Sequence, residues 1–434
     1  MVEKAIRARG EIGWVLFGYL LTFAGTFIGL KVLTISLGPE RYGGLALGLA
    51  ISGVIGTFVY GPINQWVLRF YSIHQERQRF NSFFSMIVLV YTASLLCIVG
   101  VTIIGLLVFL PLLSKQWIFL GLVATLFAVV SGFNGLFLSL QSARRNRKVV
   151  ALYQSAESIL KPMFAIIFLY LFGKSDYYAL LGFCLASFLV MLFQGMAVSR
   201  DVVLSPIFSL QAFQGSSIKQ EKKEFMNYVT PFLYFSIFGS IFLYGDRWIL
   251  QFSMGDKSVG IYAALYQIAN APILVTAGIV SQLIMPVAFG KAGEMKNERQ
   301  QKDSKMLIRQ SVWIMLLIFI AILVIVSYFD DTLVRLLTTE EFVEQSSTLW
   351  ILVAGLALFN IAQTFSIYGF SSMQTNIYIL PKAIQAILFL VLCVYFVEVS
   401  GIRGVAISII LSSAVYLVSV IVANKRLRIK YTSI

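Results

Sequence analysis

Charge, histidine and cysteine are scarce in this chain, and each shortage removes a class of chemistry. Only 12% of the 434 residues are charged, against 59% hydrophobic, far from the make-up of an ordinary soluble domain. The single histidine, His74, falls in a charged loop and reads as a solvated residue rather than a ligand. One histidine and three cysteines supply no Ser/His/Asp set, no Cys/His pair and no metal spacing. Cys97, Cys184 and Cys393 all sit in apolar runs, where a thiol behaves as a small hydrophobe, so no disulfide framework is expected. No glycine-rich phosphate loop of the Walker type is present, so neither ATP nor any bound cofactor is expected.

Long apolar runs, in contrast, are abundant. A hydrocarbon core of about 30 Å needs roughly 20 helical residues to cross it. Twelve such runs lie near 12–37, 42–68, 82–111, 116–142, 149–173, 177–199, 226–253, 258–289, 306–329, 346–370, 376–398 and 402–424. They are too long and too rich in Leu, Ile, Phe and Gly to be barrel strands, which predicts an all-α integral membrane protein with twelve transmembrane helices. Three cations precede the first run, which is too long for a signal-peptide core and is expected to stay as an anchor. With the N-terminus in the cytoplasm, 24 of the 34 Lys and Arg fall on the inner side and six on the outer side. That asymmetry places both termini in the cytoplasm. It also accounts for the formal charge of +14 through topology and anionic lipid contact, with no role for nucleic acid.

The twelve runs divide into two sixes. "LGPERYGGLALG" (37–48) aligns with "MGDKSVGIYAAL" (254–265), Gly38 on Gly255 and Gly43 on Gly260, at an offset of half the chain. Lys161-Pro162 in the fifth run answers Pro381-Lys382 in the eleventh, and Asn134 answers Asn360. An even number of spans per half gives the halves one orientation, hence two six-helix lobes related by a parallel pseudo-two-fold repeat with a cleft between them. The expected lobes are 1–199 and 226–434, the second ending in a basic cytoplasmic tail, joined by a polar cytoplasmic linker at 200–225.

The remaining four cations, Lys31, Lys161, Arg247 and Lys382, lie inside spans, where a Lys or Arg costs about 2.5–3.5 kcal/mol at a helix centre. If matched helices line one cleft, all four face a shared wet space suited to an anionic headgroup, with Arg247 giving bidentate phosphate contact. Other readings stay open. Lys31, Arg247 and Lys382 are close enough to span ends to snorkel. Glu157 and Lys161 are spaced i, i+4 and can neutralise each other, whereas the adjacent Asp246 and Arg247 point about 100° apart. Asn64, Gln65, Gln267 and Asn270 are candidates for sugar hydroxyls, although interhelical hydrogen bonding is the commoner use of amides in lipid. Tyr60, Trp66, Tyr262 and Tyr266 are candidates for stacking on sugar rings. Prolines at 62, 162, 231, 272, 286 and 381 mark expected kinks.

"TISLGPERYGGLALGLAI" after the first span and "GDRWILQFSMGDKSVGIYAALYQIA" across the seventh and eighth resemble the polysaccharide transporter branch of the multidrug/oligosaccharidyl-lipid/polysaccharide exporter superfamily. The resemblance covers the whole layout. It implies a V-shaped cleft lined by spans one, two, seven and eight. It also implies a flippase of the bacterial inner membrane, moving undecaprenyl-pyrophosphate-linked oligosaccharide to the periplasmic leaflet by alternating access for O-antigen or capsule assembly. In that reading Lys31 and Arg247 lead the pyrophosphate site, Lys161 and Lys382 support it, and a polysaccharide polymerase is a partner. Asp246 and Glu157 are the acids expected to couple a Na+ or H+ gradient. The alternatives are an ion-coupled multidrug exporter of the same superfamily, for which span one offers Lys31 instead of an acid, and a membrane polymerase or ligase. The latter needs a larger outer loop than the short acidic segment at 330–345.

Overall fold

A computed structural model describes residues 2–76, 79–109, 111, 114–201, 216–292, 298–371 and 374–427. Most of the expected linker and the end of the basic tail lie outside the described residues. The helices are α1 (Val2–Ile55), α2 (Gly61–Glu76), α3 (Phe80–Phe109), α4 (Lys115–Ala143), α5 (Arg147–Phe172), α6 (Asp176–Asp201), α7 (Ser216–Met254), α8 (Asp256–Ala292), α9 (Glu298–Leu337), α10 (Leu349–Ser371) and α11 (Ile379–Arg426). Among the described residues there is no strand.

Among the described residues, ten helical segments are long and apolar enough to cross a membrane, and two of them are long enough to cross twice. The first, Ile12–Glu76, takes in α1 from Ile12 onward, the turn at Gly56–Tyr60 and α2. The second, Asn376–Arg426, includes α11. Ten segments thus provide the twelve expected crossings, and the chain is a multi-pass membrane protein.

Each double crossing reverses at a glycine. Gly38 in α1 has φ 67° and is followed by Pro39, the residue best suited to restart a helix. Its repeat partner, Gly255, has φ 78° and separates α7 from α8. No L side chain sits comfortably at such angles, so glycine is what lets one span stop and the next begin without a loop. Gly173 between α5 and α6 and Gly401 inside α11 form the other pair, at φ 102° and 57°. Every positive-φ glycine among the described residues therefore has a counterpart in the other half, which carries the repeat from sequence into backbone conformation.

Packing groups the chain into two compact units, 1–43 with 241–434 and 44–240, with boundaries inside α1 and α7. In the first unit α10 is the central helix, packed against α8, α9 and α11. In the second, α4 packs on α6 and α2, and α5 on α6. Its core centres on Tyr60, Trp66, Phe83, Tyr91 and Phe225. At Gly56–Tyr60 the chain forms a π-helical turn just ahead of Pro62, so the expected kink is taken up by widening the helix where the proline ring would crowd the preceding turn. Many large apolar side chains, Phe252, Leu107 and Tyr170 among them, are exposed on the outside, as a lipid solvent requires.

Candidate functional site

The most elaborate polar cluster of the first unit surrounds Arg247. On α7, Asp246 and Arg247 are neighbours whose side chains leave the helix about 100° apart. The long arginine side chain nevertheless folds back, so that Nη1 donates to Asp246 Oδ1 and to the Leu243 carbonyl, both at 2.9 Å. Asp246 Oδ1 also accepts the Arg247 backbone N–H at 2.8 Å, and Oδ2 accepts the Tyr262 hydroxyl from α8. The carboxylate is 1% exposed and the guanidinium 12%. Around the cation stand the Tyr266 ring, 4.8 Å from the guanidinium carbon, and the Tyr244 and Tyr262 rings, each at 6.0 Å. Tyr42 of α1 donates to Gln267 Oε1 at 3.1 Å on the same stretch of α8.

This arrangement answers the cost of placing the pair in an apolar helix. Both carboxylate oxygens accept hydrogen bonds, the cation is matched by the carboxylate, and aromatic rings stand around the cation. Among the described residues, the side-chain bonds of Arg247 run through Nη1, and none of those residues bonds the edge formed by Nη2 and Nε. A planar edge of that kind suits a phosphate oxygen pair.

The other intramembrane cations each have their own surroundings. Lys31, half-buried on α1, donates to the carbonyls of Arg335 and Thr338, 3.0 Å to the former, where α9 ends. It thereby satisfies carbonyls that the helix itself leaves unbonded. Lys382 is 1% exposed on α11, with its amine 3.0 Å from Gln385 Oε1 and 4.2, 4.7 and 5.4 Å from the Phe359, Tyr416 and Phe242 ring centres. In the second unit Lys161 pairs with Glu157 at 3.0 Å, as the i, i+4 spacing predicts, and lies over the Phe127 ring. Glu157 also accepts from Ser187 of α6 at 2.7 Å and from Asn134 of α4. Snorkelling toward an interface, one of the readings open from sequence, is not what Lys382 does.

The candidate sugar contacts divide by exposure. Tyr266, Gln267 and Asn270 are half-buried on one stretch of α8 beside Arg247, and Gln65 on α2 is exposed. Asn64 accepts the Tyr91 hydroxyl at 2.7 Å, an interhelical bond of the kind amides commonly make in lipid. Tyr60, Trp66 and Tyr262 are buried within their units, Trp66 against Phe70, Phe83, Phe225 and His74.

Sequence reasoning missed Tyr244 at the arginine and Tyr42 on Gln267, and misread His74. Tyr42 lies within the "RYGG" part of the repeated motif, which was a usable signal. Far from being solvated, His74 is 1% exposed and bonded to Glu221 at 2.8 Å, because α2 continues as helix to Glu76.

Residues 9–290 match the family model described as "Polysaccharide biosynthesis protein". A curated relative from Shigella flexneri, named "Putative O-antigen transporter", is 22% identical over 413 residues, covering 91% of this chain and 92% of the relative. Among solved structures, the lipid II flippase MurJ in an inward closed conformation is similar with a TM-score of 0.68 at 16% identity, over 95% of this chain and 86% of that one. An inward-facing multidrug resistance MATE family transporter of the MOP superfamily is similar with a TM-score of 0.64 at 16% identity, over 96% and 94%. The chain therefore belongs to the polysaccharide biosynthesis protein family and is built on the fold shared by those MOP-superfamily transporters.

Proposed function

We propose that this protein is a flippase for undecaprenyl-pyrophosphate-linked oligosaccharide, working in the bacterial inner membrane with both termini in the cytoplasm and serving O-antigen or related surface polysaccharide assembly. The observation that carries the reading is Arg247. A guanidinium held at Nη1 by a buried carboxylate, with its second edge unbonded among the described residues and aromatic rings around it, is suited to receive a pyrophosphate. Tyr266, Gln267 and Asn270 supply a ring face and amides for the first sugars, and Gln65 and Asn64 for later ones. Tyr60, Trp66 and Tyr262 act by fixing those elements in the state described.

Lys31, Lys161 and Lys382 are assigned to the same anionic substrate, released from their present partners as the protein alternates between inward and outward openings. Asp246 and Glu157 are the acids assigned to coupling with Na+ or H+. Anionic lipids contact the basic cytoplasmic face, and a polysaccharide polymerase takes the product. The family match and the O-antigen relative support this reading. The likeness to a MATE transporter supports the second, an ion-coupled drug exporter.

Complementation separates the two. A strain lacking its lipid-linked oligosaccharide flippase regains surface polysaccharide when it carries this gene and does not when it carries Arg247→Ala at equal membrane level. Raised drug resistance in that strain without restored polysaccharide selects the exporter instead.

A further inference from the structure

His74 lies at the end of the chain's second span, well away in sequence from the Arg247 cluster, and its hydrogen bonds fix how many protons the site holds. Nδ1 is 2.8 Å from the Phe70 carbonyl oxygen. A carbonyl only accepts, so Nδ1 carries a hydrogen. Nε2 is 2.8 Å from Glu221 Oε2, and Glu221 Oε1 accepts from Ser82 at 3.4 Å. With Nδ1 protonated, a neutral imidazole presents a lone pair at Nε2, which at that distance meets the lone pairs of a carboxylate. The contact is attractive only if one further proton is shared between them, as imidazolium with carboxylate or as imidazole with carboxylic acid.

The surroundings raise the stakes of that proton. His74 is 1% exposed and Glu221 2%. The Phe83 ring of α3 stacks on the imidazole at 4.8 Å, and the Trp66 and Phe70 rings of α2 lie on its other sides. Among the described residues, the charged groups acting on His74 are Glu221 and, one turn along, Glu224, both on α7. α2 offers a carbonyl and two rings, and α3 a ring and the Ser82 hydroxyl. Without the shared proton, a buried carboxylate and a buried imidazole lone pair face each other in an apolar enclosure, and only separation lets water solvate them.

We propose that His74 and Glu221 form a proton-binding site that fastens the start of α7 to the end of α2 and the start of α3 while the shared proton is present and releases it to solvent when that proton leaves. α7 is the helix that carries Arg247 toward its other end, so the latch places pH control on an element of the candidate site. The inference goes beyond the transport reading and does not depend on it, and its test uses no substrate.

The single histidine makes that test clean. In full-length protein in lipid nanodiscs, the rate of histidine modification by diethylpyrocarbonate is followed by mass spectrometry near pH 6 and near pH 9. Wild type is protected near pH 6 and modified near pH 9. In Glu221→Gln the side-chain amide donates to neutral Nε2, so the latch holds at both pH values and wild type reacts at least about tenfold faster than the variant near pH 9. Equal rates near pH 9, or rapid modification of wild type near pH 6, overturn the proposal. Nitrogen NMR of histidine-labelled wild type gives a check that needs no variant. The proton resides on Nδ1 near pH 7, and a neutral imidazole protonated only at Nε2 overturns the proposal.

Discussion

A methyl group on Gly260 would lie 1.8 Å from the carbonyl oxygen of Pro39, and one on Gly43 would lie 2.0 Å from that of Asp256. Gly43 and Gly260 thus bring two helices into contact backbone to backbone, with no side chain between them. The contact is also reciprocal, because Pro39 shifted by half the chain is Asp256 and Gly43 shifted equally is Gly260. Self-complementary contact of this kind is what a two-fold relation between like surfaces produces.

Gly260→Ala is therefore expected to destabilise the protein by about 1–3 kcal/mol, since the obstacle is backbone and cannot rotate away. Gly43→Ala is expected to do the same, and the double variant to cost less than the two single changes together because both relieve one contact. Thermal unfolding in detergent measures this. Gly105→Ala, where nothing lies within 4 Å, is the control expected to show no loss.

Lys31→Met removes the amine from the carbonyls at the end of α9. The expected loss is about 1–2 kcal/mol, with Lys31→Arg recovering most of it, because a guanidinium can also reach a helix C-terminus. Surface polysaccharide measured in the same variants separates this capping role from any role in transport: Lys31→Arg is expected to restore stability ahead of transport.

Lys382→Met keeps the volume of a side chain enclosed by Phe242, Phe359 and Tyr416 while removing its charge. Folding is expected to be retained or slightly improved, since an apolar replacement of similar size relieves the cost of burying a cation. Lys382→Ala is expected to cost about 2–4 kcal/mol through the cavity it leaves. Melting temperatures of the two variants decide it, and transport lost in Lys382→Met at wild-type stability assigns the loss to the charge.

Asp246→Ala leaves the Arg247 guanidinium and the Tyr262 hydroxyl without their common acceptor. The expected penalty is about 3–5 kcal/mol, larger than for Tyr262→Phe, which removes one bond of the carboxylate's set and is expected to cost about 1–3 kcal/mol. Membrane yield and unfolding midpoints of the two variants give the comparison.

How much of this was legible beforehand varied with the range of the interaction. The i, i+4 pair of Glu157 and Lys161 was readable, because helix geometry alone brings those atoms together. The reversal at Gly38 and Gly255 was readable for the same reason, as a local matter of which residue accepts positive φ. Arg247 was visible as an anomaly of charge in an apolar run, but Tyr244 beside it was not, since nothing in spacing says which of twenty tyrosines a folded chain brings to one guanidinium. His74 was misread because loop composition says nothing about an acid 147 residues away.

By itself, then, the sequence determined that this chain lives in a membrane, crosses it twelve times and repeats itself, because hydrophobic length, charge asymmetry and glycine placement act locally and need no partner. Tertiary structure alone decided what each buried charge meets: a helix end for Lys31, a ring cage for Lys382, a carboxylate and tyrosines for Arg247, and a carboxylate for His74. The physical reason is that a charge in a low-dielectric interior is governed by the few groups within about 4–6 Å of it, and those arrive from distant parts of the chain.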